Sequence, residues 1–238
     1  MNTIVKLTFR SATRDPFLIL WSLLVPVAGA IGLGLFVKAP QYPLRILTGM
    51  VATSVLFYTL TTTSFAVLRQ RRRGVYRLLK VTPMPLWAYV CSSATAWVLI
   101  ALCSAGLVLV CGMLALGVGL APVAVIAMVP AVLFAALGGV FFSFVIASVG
   151  RTENSVSIIN NFITLPLLFA SDAFYSLQGA PQFVQTISRL NPLQWFVSAL
   201  RAAAAQSWGS YAANVGLVVL TAVVALLLAV KTFRYDEG

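Results

Sequence analysis

Reactive side chains are scarce in this chain, and their positions limit the chemistry open to it. It contains no histidine, which removes the commonest general base and metal ligand and, with it, rhomboid-type and HExxH proteolysis. Two adjacent amides, Asn160 and Asn161, lie in the apolar run "SVSIINNFITLP", where an amide is costly unless partnered. One is expected to bond a neighbouring helix and the other to face a pathway. Phe162 adds an aromatic contact and Pro166 a kink. A second semi-polar stretch, "TSVLFYTLTTTSF", sets Ser54, Tyr58, Thr61 and Phe65 on one face at helical spacing. Hydroxyls placed so either bond back to their own backbone and neighbouring helices or face a substrate.

The elements that must position these groups are membrane spans. Of the 238 residues 61% are hydrophobic and 9% charged, with a mean hydropathy of +0.98, whereas a soluble domain carries about a quarter charged residues. Runs of roughly 20 apolar residues cross about 30 Å of hydrocarbon. Six such spans are expected, at 17–37, 44–68, 87–116, 122–149, 155–177 and 211–231. The first is too long for a signal-peptide core and no A-x-A-like site follows it, so it reads as a retained span. Residues 1–16 read as a short basic, amphipathic helix on the cytoplasmic membrane surface, with Pro16 marking the turn into the bilayer. Cys91, Cys103 and Cys111 share one span and act as small apolar residues, with no disulfide framework implied. Gly29, Gly32 and Gly34, and Gly138 and Gly139, read as sites of close helix packing.

Charge sets the orientation. Of the sixteen lysines and arginines, twelve (Lys6, Arg10, Arg14, Arg69, Arg71, Arg72, Arg73, Arg77, Lys80, Arg151, Lys231 and Arg234) fall on the side of the termini. Four (Lys38, Arg45, Arg189 and Arg201) fall on the other. Cytoplasmic loops collect lysine and arginine, so both ends face the cytoplasm. The net charge of +11 therefore reports topology rather than nucleic-acid binding.

The densest cluster is "RQRRRGVYRLLKVTPMPLW". Residues 69–81 can extend the second span as a helix, with Val75, Leu78 and Leu79 on one face and Arg73, Arg77 and Lys80 flanking it, until Thr82-Pro83 turns the chain back. The arginines alone would satisfy topology and bind anionic lipid; the apolar face and abrupt stop suit docking to a partner. Between the last two spans, residues 178–209 are too polar for lipid and rich in aromatics. They read as short helices at the outer leaflet packed on protein, one starting after Asn191 with Pro192 in its first position. Asp172, at the outer end of the fifth span, is expected to pair with Arg189 or Arg201. Glu153 with Arg151 reads as a turn and helix cap.

Two stretches carry a family resemblance. "RRRGVYRLLKVTPMPLWAYV" resembles the elbow after the second span of ABC-2 type exporter membrane subunits, with Gly74, Leu78, Leu79, Thr82 and Pro83 at the matching positions. "FASDAFYSLQGAPQFVQTISRLNPLQWFVSALR" is similar to that family's outer region, through Phe174, Tyr175, Pro181, Asn191, Pro192 and Arg201. The family's elbow usually carries glutamates, absent here, and Asp172 replaces a frequent glycine. The resemblance implies an all-α integral membrane protein: one domain of six transmembrane helices over 1–238, with the interfacial helix 1–16, a cytoplasmic coupling elbow at 69–86 and the outer segment at 178–209.

It further implies that Arg73, Gly74, Val75, Leu78, Leu79, Thr82 and Pro83 meet a separate ABC ATPase, and that a second permease copy, identical or homologous, completes the pathway. The second and fifth spans would bring Ser54, Tyr58, Thr61, Phe65, Asn160, Asn161 and Phe162 to a central cavity. Asp172, Asn191, Pro192 and Arg201 would shape the outer segment. These residues include no Gly-rich phosphate loop, so ATP and magnesium belong to the partner and no cofactor, metal or catalytic residue is expected in this chain. The implied activity is export of an amphiphile (a drug, peptide antibiotic or lipid-like molecule) across a bacterial inner membrane. The competing reading is a secondary transporter or channel. Such coupling usually needs buried carboxylates or histidines, and a lipid-acting enzyme needs an acid–base cluster; Asp172 is the single candidate for either. A scaffold without transport is the remaining class.

Overall fold

In a computed structural model the protein is described at residues 42–74, 86–177, 179 and 181–232. The expected surface helix 1–16, the first span 17–37 and elbow positions 75–85 lie outside the described residues. Those described form seven helices and no strand. They are α1 (Tyr42–Arg72), α2 (Leu86–Leu116), α3 (Pro122–Val149), α4 (Glu153–Phe169), α5 (Gln182–Arg189), α6 (Pro192–Ala204) and α7 (Trp208–Thr232).

Four of them, α1, α2, α3 and α7, are long and apolar enough to cross a membrane. At 1.5 Å per residue even α7 exceeds the roughly 30 Å of hydrocarbon. The bounds have local causes. Gly117 adopts a positive φ of 64° just after α2, and Pro122 opens α3 at a position whose N–H has no helical partner. Thr152 caps α4 by accepting from the Ser155 N–H, and Asn191 caps α6 through Leu193.

Three sequence expectations need correction. The second span does not run on as a helix to 81: α1 ends at Arg72, and Gly74 takes a left-handed φ of 72°, a conformation that stops a helix at little cost only for glycine. The fifth span does not stay helical to 177, because α4 ends at Phe169. Pro166 stands in its last turn, and the Asn191 amide takes the Leu167 and Ala170 carbonyls at 2.7 and 3.0 Å. Finally, Glu153 pairs with Arg72 (3.7 Å) rather than Arg151, and the cap is Thr152.

α3 is the centre of the bundle. It packs along α7 and also touches α1, α2, α4 and α6. Without a hydrophobic drive between helices in lipid, close packing of small residues supplies the contact. Ala131, Ala136, Val140 and Phe144 are fully buried on α3. Gly138 lies against Ala222 of α7, and Gly139 against Thr59 of α1, as the sequence suggested for these two glycines. Gly49 against the Ala173 carbonyl and Gly112 against Leu47 are further such contacts that it did not single out. Among the four described spans α1 is the most enclosed, 72% of its apolar window being buried, and α7 the least, at 22%.

A methyl group at Gly139 would lie 2.1 Å from the Thr59 hydroxyl oxygen and 2.7 Å from its Cβ. Gly139→Ala should therefore force α1 and α3 apart at about 1–3 kcal/mol and lower the melting midpoint in detergent. Gly216→Ala on α7, where nothing lies within 4 Å, should not; equal shifts for the two would refute the packing argument.

Candidate functional site

At one end of the bundle, charges converge that are distant in sequence. Asp172, just beyond α4, pairs with Arg201 of α6 (3.0 Å) and with Arg45 of α1 (3.2 Å). Arg201 also donates to Thr48 Oγ1 at 3.3 Å and to the Asp172 and Ala173 carbonyls. The Asp172 N–H donates to the Gln194 side chain at 2.6 Å. Burial lowers the Arg201 guanidinium from its ordinary value, and the Asp172 charge draws it back up. Arg201 was an expected partner; Arg189, the other, is exposed and offers only its carbonyl, to the Trp195 indole. Arg45 was not anticipated as a partner, though an arginine beside an apolar helix is itself a signal that one is near.

At the opposite end, the last turn of α1 carries Arg69, Arg71 and Arg72. Arg71 Nη1 donates to the Ala147 and Ser148 carbonyls at 3.0 and 3.1 Å, both at the C-terminus of α3. Arg73 is exposed and Gly74 makes the turn. The remaining expected coupling residues, Val75, Leu78, Leu79, Thr82 and Pro83, lie outside the described residues.

Between the ends, a cavity of about 480 Å³ opens among α1, α3, α4, α6 and α7. Leu56, Phe142, Leu167, Phe196 and Val224 are among its walls. Its hydroxyls are already engaged: Thr59 bonds the Val55 carbonyl and Thr221 the Val218 carbonyl, each at 2.7 Å. Such a lining offers hydrocarbon contact and little to a polar molecule.

None of the seven pathway residues named from the sequence lines this cavity. Ser54 and Tyr58 are fully buried, Ser54 donating to the Val51 carbonyl and Tyr58 packing beside Trp97. Thr61 and Phe65 are half-buried. A π-helical turn at Tyr58–Thr62 separates the pairs, since its extra residue rotates everything after it. On α4 the adjacent amides part company. Asn160 is 1% exposed and has no hydrogen-bond partner among the described residues, like Thr164 one turn on. Asn161 and Phe162 are exposed, Phe162 to 80%, on a stripe continued by Leu165 and Phe169.

Residues 1–204 match the model of a protein family described as ABC-2 type transporter. The chain belongs to this family. Shorter similarity links it to the inner membrane transport permease YadH of Escherichia coli K12 and to its namesakes in Escherichia coli O157:H7 and Shigella flexneri. Each is 34% identical over 82 residues, 33% of this chain. The shared stretch covers 29% of those relatives' own length. In this ABC-2 family member the match ends with α6, so the Asp172 cluster falls wholly inside it. Most of α7 is held to the bundle by packing on α3 and by Tyr211, which donates to the Ala127 carbonyl at 2.6 Å.

Asp172→Asn should leave two partly buried arginines without their counter-charge and cost about 1–3 kcal/mol, less than the cost of breaking a fully buried pair. Arg201→Met should then cost less in the Asp172→Asn background than alone. Additive losses in the melting cycle would mean that the two side chains are not coupled.

Proposed function

We propose that the chain is the membrane-spanning subunit of an ATP-driven exporter, itself without catalytic activity and driven by a separate cytoplasmic ABC ATPase. The family match over residues 1–204 carries this reading. The chain would cross a bacterial inner membrane six times with both termini in the cytoplasm, the four helices of spanning length being joined by 17–37 and by α4. That orientation puts the arginine end of α1 in the cytoplasm and the Asp172 cluster outside. At that end Phe183, Ile187 and Leu190 make an exposed apolar stripe along α5, which suits a helix lying on a lipid surface.

In this scheme the elbow would dock on the ATPase through Val75, Leu78 and Leu79, with its arginines meeting carboxylates and Thr82-Pro83 turning the chain back. ATP-driven closure of two ATPases would pull two elbows together and shift packed bundles between two arrangements. A second copy of the permease would meet the exposed α4 stripe, leaving Asn161 and Phe162 towards the shared axis. Ser54 and Tyr58 are enclosed within one protomer, and a part for them in the pathway requires α1 to turn. The substrate would be amphiphilic, its apolar portion suited to the hydrocarbon-lined cavity.

Purification from mild detergent should bring down an ATPase with the wild-type chain. Leu78→Asp combined with Leu79→Asp should lower its recovery at least about tenfold while the permease keeps its melting midpoint. If no ATPase accompanies the wild type, or its binding ignores the elbow change, the exporter reading falls and an ATPase-free transporter replaces it.

A further inference from the structure

The arginines next to the elbow differ in what they hold. Arg72 makes an exposed pair with Glu153 at 3.7 Å, the kind of contact that contributes little. Arg71 is half-buried and fixes two carbonyls of another helix at 3.0 and 3.1 Å. Those carbonyls belong to the last turn of α3, where acceptors lack helical partners and the helix dipole presents its negative end. A guanidinium there makes charge-assisted bonds to both carbonyls.

Above it the same two helices are joined twice more. Ser64 lies 3.5 Å from the Ser143 carbonyl, and Thr59 lies against Gly139. Beyond the π-helical turn, α1 gains further partners: Gly49 rests on Ala173, and Arg45 and Thr48 engage Asp172 and Arg201. Thr59, Ser64 and Arg71 thus tie the half of α1 nearest the elbow to α3, and Arg71 is their terminal fastening.

We propose that Arg71 is the positioning residue through which movement of the elbow reaches α3. Two residues separate it from Gly74, where the chain leaves α1. A pull on the elbow thus displaces the end of α1 and, through the guanidinium, the end of α3 and the short turn into α4. The proposal rests on the ATPase-driven reading above and adds the route by which force enters the bundle.

Amide hydrogen exchange on the permease–ATPase complex, with and without ATP, tests it. In the wild type, ATP should change exchange at both 69–73 and 146–150. In Arg71→Gln the response at 69–73 should persist, the response at 146–150 should fall roughly threefold or more, and ATPase recovery should be unchanged. Arg71→Lys, which keeps a charged donor, should restore the α3 response. A purely structural role would lower the melting midpoint without altering the ratio of the two responses. The proposal is overturned if 146–150 follows ATP equally in Arg71→Gln. It is also overturned, with no variant needed, if 69–73 responds in the wild type and 146–150 does not. If no ATPase co-purifies, or ATP alters neither end, the exporter reading fails and the proposal goes with it.

Discussion

Close approach of α1 to α3 is the constraint on which the other contacts depend. Lipid gives helices no hydrophobic reason to associate, so two spans stay together through packing and through polar groups that have nowhere else to bond. Gly139 lets the backbone of α3 come up to Thr59, and at that separation Ser64 and Arg71 can reach α3 carbonyls further along. Opposite α1, Gly138 does the same for α7 against Ala222. Two consecutive glycines thus seat α3 between an inner and an outer helix. The cavity lies beside this junction, with Thr59, Gly138 and Gly139 in its wall.

The polar groups obey the same constraint differently at the two ends. Around Asp172, one carboxylate is shared by two arginines, and Arg201 meets its remaining demand with a threonine and two backbone carbonyls. At the arginine end Arg71 takes its partners from a helix terminus. Within the bundle some demand is unmet: among the described residues, Asn160 and Thr164 on α4 and Ser93 and Trp97 on α2 have buried side-chain polar atoms without hydrogen bonds. Each pair is one turn apart, and both helices touch the π-helical turn of α1. Unsatisfied groups of this kind cost free energy in the arrangement that buries them, so they favour any rearrangement that would expose or partner them.

Much of this architecture was legible in the sequence. α3 spans 122–149 as its apolar run implied, between Gly117 and Gly150 with Pro122 at its first turn, and α2 and α7 follow their runs within a few residues. The Asn191-Pro192 start of α6 and the Asp172–Arg201 pair were also readable, because both rest on side-chain chemistry. What escaped rests on the backbone. The end of α4 is set by an amide from α6 taking its carbonyls, and Arg71 bonds carbonyls whose residue types are immaterial. The π-helical turn escaped for a related reason. A threonine run is compatible with a regular helix, and it is the Thr63 hydroxyl, reaching the Tyr58 carbonyl five residues back, that marks where it widens.

That turn changes how α1 can act. A straight helix clamped at both ends transmits any displacement along its whole length. Here the clamps differ in partner, Ser64 and Arg71 on α3 to one side of Tyr58–Thr62 and the Asp172 cluster to the other, and the helix between them is locally widened and underwound by an extra residue. π-helical turns have weaker backbone geometry than the α-helix and recur at functional positions. Relaxing this one would rotate one half of α1 against the other, with Thr59 and its seat at Gly139 at the pivot. Tyr58 and Ser54 would then turn relative to Thr61 and Phe65, altering how the semi-polar stretch is divided between the protein interior and its surroundings. The threonine run thus has a mechanical reading that does not require its side chains to line a cavity: it sets where the helix can yield, while the glycines and arginines set where it cannot.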